Sequence, residues 1–105
     1  MRALDFMRAH PQARAAEIAA HLNISESGLY SILRSSLGKT PLEIRRGLLV
    51  EQAEELLLTT DLSIERITAE VGFGTALSLR QQFSTQLGTS PSSYRRLFRN
   101  SAPEG

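Results

Sequence analysis

Two stretches of the sequence recur at a nearly constant offset. Ile18-x-x-x-Leu22-x-Ile24 returns 49 residues later as Ile67-x-x-x-Val71-x-Phe73, and Leu37-Gly38-x-Thr40-Pro41-x-x-Ile44-Arg45-Arg46 returns 50 residues later as Leu87-Gly88-x-Ser90-Pro91-x-x-Tyr94-Arg95-Arg96. A period of this size marks a duplicated supersecondary unit. The punctuation in each copy predicts a helix, a tight turn, a second helix, and a third helix entered through Thr-Pro or Ser-Pro. The step from 49 to 50 puts one extra residue near the start of the second copy's middle helix. In a chain of 105 residues each copy is too small to bury more than a marginal core alone, so the copies must lean on something shared.

The residue types narrow the class. Six aromatics without Trp, among 41% hydrophobic residues, suit an all-helical domain built on Leu, Ile and Ala. The absence of cysteine excludes disulfides, thiol nucleophiles and cysteine zinc sites. No apolar stretch approaches the roughly 18 residues needed to span a membrane, and no secretory apolar region follows Met1. A soluble, cytoplasmic protein without membrane contact is expected.

The net charge of +1 hides an uneven distribution. Residues 1–42 carry five basic and three acidic groups, residues 43–70 three and seven, and residues 71–105 four and one. Eleven of the twelve cations are Arg, whose planar fork suits phosphate and guanine recognition better than Lys. A solvated mixed-charge surface accounts for the same composition.

Hydrophobic spacing and end signals predict seven helices. The first, about residues 2–9, ends before His10-Pro11, because the residue before proline avoids helical geometry. The second, about 15–22, stops at Asn23, and its counterpart, about 64–71, stops at Gly72; both residue types suit a left-handed cap. The third runs from the N-cap Ser25 to Leu37, with Leu29, Ile32 and Leu33 on its inner face and Glu26, Ser27, Tyr30, Ser31 and Arg34 outward. The sixth runs from Thr75 to Gly88, burying Leu79, Phe83 and Leu87 and turning Leu77, Ser78, Gln81, Ser84 and Thr85 out, with Arg80 at the margin. A capped helix, a tight turn and a second helix with a small polar outer face describe a helix-turn-helix, whose second helix can enter the DNA major groove.

Between the copies lies the longest helix, about 41–59. Thr40 is its N-cap, Pro41 its first residue, and Glu43 completes a capping box. Its apolar stripe is Leu49, Ala53, Leu56 and Leu57, with Ile44 and Leu48 beside it, and Leu56-Leu57-Leu58 is taken as core rather than a partner patch. Its length of roughly 28 Å at about 1.5 Å per residue is close to one turn of B-DNA, roughly 34 Å, so it can hold two recognition helices over successive major grooves. The expected organisation is a first helix-turn-helix over 1–40, a linker helix over 41–59, a second helix-turn-helix over 60–100, and a disordered tail over 101–105.

Thr59-Thr60-Asp61-Leu62-Ser63-Ile64 with Glu70-Val71-Gly72-Phe73, then Phe83 and Leu87 to Arg96, resemble the signature of the AraC/XylS family of bacterial transcription regulators, over about residues 3–99. Leu79-Arg80-Gln81-Gln82-Phe83 resembles the branch whose full-length members carry an N-terminal domain similar to the DJ-1/PfpI fold. The resemblance implies an all-α fold of two helix-turn-helix subdomains and sequence-specific binding of double-stranded DNA. The family's base-contacting positions fall on Ala76, Leu77, Arg80 and Gln81 in the second unit and on Ser27, Tyr30 and Ser31 in the first. Arg80 or Gln81 can pair with guanine or adenine edges, and Leu77 or Ala76 can touch a thymine methyl.

Phosphate contacts are expected where helix starts meet the DNA backbone, at Ser25, Thr40, Thr75, Ser90 and Ser92, with Arg34, Arg45 and Arg95 adding charge. Each has a plainer reading. Ser and Thr cap helices without DNA, Arg80 can bridge Glu70 or another acid, and Tyr30 can pack on the first helix. Two departures from the family pattern stand out: Leu49 replaces an Arg common in the linker helix, and the first recognition helix has no Arg or Gln at its central outward positions. Gly28 inside that helix costs roughly 1 kcal/mol relative to Ala, so sequence reading is expected to rest on the second unit.

No enzyme is expected. His10 and His21 fit no metal-ligand spacing, Glu54-Glu55 is a solvated pair, and no phosphate loop or nucleophile elbow occurs. No cofactor or metal is called for. The rival reading is a helical adaptor that docks a protein such as RNA polymerase without reading bases; such a groove exposes apolar anchors, and only Leu77 and Tyr30 qualify. Nothing in the chain resembles an effector-binding or dimerisation domain, so the effector is expected to bind a domain outside it.

Overall fold

The computed structural model describes residues 2–99. Among them stand seven α-helices and no strand: α1 (Arg2–Ala9), α2 (Ala15–Leu22), α3 (Glu26–Leu37), α4 (Pro41–Thr59), α5 (Ile64–Val71), α6 (Ala76–Leu87) and α7 (Pro91–Tyr94), the last running into a π-helical turn, Arg95–Arg99. The tail expected at 101–105 lies outside the described residues.

The chain divides into two compact units with the boundary between Leu48 and Leu49, inside α4. The first packs Ala3, Met7, Ile18, Leu29, Leu33, Ile44 and Leu48 into one core. The second packs Ala53, Leu57, Ile67, Leu79, Phe83 and Tyr94 into another. Six of these positions match in pairs, while Leu48 answers the exposed Phe98. Ile67 answers Ile18 at the 49-residue offset, and Leu79, Phe83 and Tyr94 answer Leu29, Leu33 and Ile44 at the 50-residue offset. Ala53 and Leu57 answer Ala3 and Met7, also 50 residues apart. The long helix is therefore two repeat elements fused. Its N-terminal half closes the first unit as α7 closes the second, and its C-terminal half opens the second unit as α1 opens the first.

Paired turns keep each unit in shape. Asn23 (φ 60°) and Gly72 (φ 74°) end α2 and α5 in the left-handed region. Ile24 N–H donates to Ala19 O and Phe73 N–H to Thr68 O, both at 3.0 Å, which closes the same capping motif in each copy. The copies then diverge. One residue, Ile24, separates α2's cap from the N-cap Ser25 of α3, whereas two, Phe73 and Gly74, separate Gly72 from Thr75, with Gly74 at φ 96°. The extra residue of the repeat thus lies in the turn, just before the N-cap, where a side chain would be strained.

Some expectations about inner faces fail. Ile32 is 41% exposed and Leu87 37% exposed, because Leu29 with Leu33, and Leu79 with Phe83, already fill the narrow inner stripes of α3 and α6. Leu58 is exposed beside buried Leu57, and Val50, absent from the expected stripe, is buried at 2%.

Candidate nucleic-acid interface

In the first unit the N-cap Ser25 accepts Gly28 N–H at 3.0 Å, fixing the start of α3. Leu29 and Leu33 anchor the helix with no exposure, so Ser27, Tyr30, Ser31 and Arg34, three and four residues apart, share its solvent face. Tyr30 is 46% exposed. Thr40 and Glu43 form the reciprocal box expected of them: Thr40 N–H donates to Glu43 Oε1 and Glu43 N–H to Thr40 Oγ1, each at 3.2 Å. The Thr40 N–H, and then the Thr40 hydroxyl donating to Oε1 at 3.1 Å, hold the Glu43 carboxyl below its ordinary range. Arg45 is partly buried.

In the second unit Thr75 accepts Ser78 N–H at 3.1 Å and starts α6. Leu79 and Phe83 are fully buried, which turns Leu77, Arg80 and Gln81 outward on one face, Leu77 at 63% exposure. Ala76 is half-buried beside them. Arg80 Nη2 meets Glu65 Oε2 of α5 at 3.0 Å, so its acidic partner is Glu65, while Glu70 pairs with Arg66 Nε at 2.9 Å. The Glu65 carboxyl sits below its ordinary range, held by its own backbone N–H and then by Arg80. Ser90 accepts Ser93 N–H at 3.1 Å at the start of α7, and Ser92 is exposed one residue into it.

Arg95 is occupied otherwise. Its Nε donates to Leu57 O at 3.1 Å and its Nη2 to Thr60 O at 3.0 Å, and Arg99 Nη1 adds a bond to Thr60 O at 2.8 Å. Together they satisfy carbonyls at the end of α4, which lack helical donors. Arg99 had no role in the sequence reading. The signal was available, since Arg95 and Arg99 lie one turn apart, but their targets are set by tertiary contact.

The structure gathers the expected residues unit by unit: Ser27, Tyr30, Ser31 and Arg34 on α3, and Leu77, Arg80 and Gln81 on α6. Exposed apolar residues are more numerous than expected, with Leu97 at 53% and Phe98 at 52% joining Leu77 and Tyr30. Among the described residues no helix is long and apolar enough to cross a membrane, and no cluster of His, Asp and Glu gathers in a form that holds a metal ion.

A family profile described as a helix-turn-helix domain matches residues 18–97. The chain is 33% identical over 96 residues to the MmsAB operon regulatory protein of Pseudomonas aeruginosa, covering 90% of this chain and 31% of that protein. It is 35% identical over 80 residues to the arabinose operon regulatory protein of Escherichia coli, covering 76% of this chain and 27% of that protein. The chain thus spans about a third or less of the length of these relatives. Among solved structures, the DNA-binding domain of AdpA, determined in complex with a target DNA, aligns with a TM-score of 0.86 at 31% identity, over 98% of this chain and 95% of that one. The C-terminal domain of AraT, a response regulator from Geobacillus stearothermophilus, aligns with a TM-score of 0.84 at 29% identity, over 99% and 88%. By its duplicated units, by the profile across both of them and by these relatives, the chain belongs to the AraC/XylS-type helix-turn-helix family.

Proposed function

We propose that the chain is the sequence-specific, double-stranded-DNA-binding part of a bacterial transcription regulator, acting in the cytoplasm. The observation that carries this reading is the outer face of α6. A fully buried Leu79 and Phe83 lock the helix, and a capped turn presents Leu77, Arg80 and Gln81 together to solvent. Arg and Gln offer the donors that guanine and adenine edges accept, and Leu77 suits a thymine methyl. The relative solved with a target DNA supports the same reading. On α3 the corresponding face holds Ser27, Tyr30 and Ser31, so base readout rests on the second unit. Ser25, Thr40, Thr75, Ser90 and Ser92 stand at helix starts that can meet phosphates, with Arg34 and Arg45 adding charge. Arg95 acts there only if it leaves the α4 carbonyls. Contact with RNA polymerase and control by an effector bound to another domain complete the proposal.

Salt dependence tests it. Each neutralised phosphate releases condensed counterions, so several contacts give a log-log slope of affinity against salt on the order of −4 to −6. Fluorescence anisotropy with a duplex selected from a random pool measures this. Salt-independent binding would favour a protein-docking adaptor, for which Leu97 and Phe98 are the exposed apolar anchors.

A further inference from the structure

Arg45 and Arg95 hold the same place in the two copies, 50 residues apart. In the second unit the guanidinium is used internally, on Leu57 O and Thr60 O. The matching carbonyls of the first unit, at the offset that pairs Leu57 with Met7, belong to Met7 and His10. There the loop is built differently. His10 O accepts Ala13 N–H at 2.9 Å, and Arg45 Nε is buried without a hydrogen-bond partner among the described residues. A buried charged donor left unmatched is costly, and such an atom is matched by an ordered water, an ion or a ligand.

The space beside it fits a particular partner. An open cavity of about 110 Å³ is walled by Arg14 and Ala15 where α2 starts, Pro41 and Leu42 where α4 starts, Tyr30 of α3, and Arg45. Its volume exceeds the roughly 30 Å³ taken by a single water, so a tetrahedral oxyanion can enter. Its lining residues Arg14, Arg45 and Tyr30 are donor-bearing, and the positive ends of two helices add to the potential. No carboxylate lines the cavity. The acids in the first turns of α2 and α4 serve caps instead: Glu17 Oε1 accepts Arg14 N–H and Glu43 Oε1 accepts Thr40 N–H, each at 3.2 Å.

We infer that this cavity binds one phosphate group, held by the Arg14 and Arg45 guanidiniums with the Tyr30 hydroxyl as a further donor. The phosphate comes from a duplex backbone or from solution; the first source rests on the DNA-binding reading, and the second does not. On a duplex, the site makes the first unit an anchor, and Tyr30 grips backbone rather than reading a base.

Two measurements on the full chain test this. In the first, inorganic phosphate is titrated while the Arg45 Nε–H and Ala15 amide resonances are followed by NMR, with chloride at matched ionic strength as control. Saturable shifts are expected in the parent, absent with chloride, and weakened roughly tenfold or more in Arg14→Gln and Arg45→Gln. In the second, each variant's affinity for duplex is measured against salt, where losing one phosphate contact reduces the slope by about 1, equally on all sequences. Arg14 is exposed, so Arg14→Gln keeps the test decisive if Arg45→Gln unfolds. Phosphate shifts with unchanged duplex slopes support the site with free phosphate as its source. Reduced slopes in both variants support the backbone source. Overturning it takes no phosphate response together with parental slopes in both variants, while Arg80→Ala still alters base preference; the cavity then holds water only. If the parent shows no salt-dependent duplex binding, the DNA reading fails, and the phosphate titration alone judges the cavity.

Discussion

Arg80 has two possible uses for one guanidinium. Without DNA it reaches Glu65 across the turn, but the two side chains are 46% and 69% exposed, and such a surface pair contributes little. A bidentate contact to guanine discriminates by roughly 1–3 kcal/mol, so a base edge should outcompete Glu65. Arg80→Ala is expected to lose about that amount on the preferred operator and to relax preference at one base pair. Glu65→Gln removes an anion from the same surface and should raise affinity for every duplex while keeping the preference. Competition against single-base operator variants distinguishes these effects, and equal losses for Arg80→Ala on all variants would remove it from the reading surface. Spacing put Arg80 only at the margin of the outer face, and the fold leaves its side chain 46% exposed beside Leu77 and Gln81. Its partner was not legible, because the path from Glu65 to Arg80 crosses a turn whose course depends on the positive-φ residues Gly72 and Gly74.

At the scale of elements, the repeat was legible and the fusion within α4 was not. Thr-Pro and Ser-Pro announce the starts of α4 and α7, but α4's second role shows only when Ala53 and Leu57 are seen in a core matching that of Ala3 and Met7. Ile32 and Leu87 misled for a related reason: spacing marks an apolar residue as available for burial, while the width of the packed stripe decides whether it is covered. Tyr94 ties the two ends of the second unit together, its hydroxyl donating to Glu54 Oε2 of α4 and its ring meeting Phe83 edge-on at 5.3 Å. Burial, then the Glu54 contact, raises the Tyr94 pKa to about 12. A folded pKa above the unfolded value of about 10 means the native state keeps its proton longer, so this stabilisation is intact below pH 10 and is lost as pH rises toward 12. Tyr94→Phe should cost about 1 kcal/mol at neutral pH by leaving Glu54 without its donor, and should flatten the alkaline decline. Denaturant midpoints across that range report both effects; an unchanged alkaline slope in the variant would assign the decline to other groups.

At the scale of the whole molecule, the repeat is tandem, which bears on the operator. Two units in direct order call for two half-contacts in direct order, with no palindrome and no dimer axis required. One helix supplies both cores, through Ile44 and Leu48 to the first and Val50, Ala53 and Leu57 to the second. We propose that α4 serves as one unbroken spacer between the two units, since helices bend sharply only at identifiable defects. Binding should therefore depend on operator spacing. Inserting about five base pairs between the half-contacts turns one of them to the opposite DNA face, and affinity should fall toward what a single unit supplies. The loss should be larger when the half read by α6 is displaced, because Ser27, Tyr30 and Ser31 offer less base discrimination than Leu77, Arg80 and Gln81. Restoring a full turn with about ten base pairs should not recover affinity, since a helix of roughly 28 Å cannot lengthen to follow. Gel-shift titrations with footprinting show which half stays protected; undiminished affinity with both halves protected would mean that the units move independently and that α4 does not set their spacing.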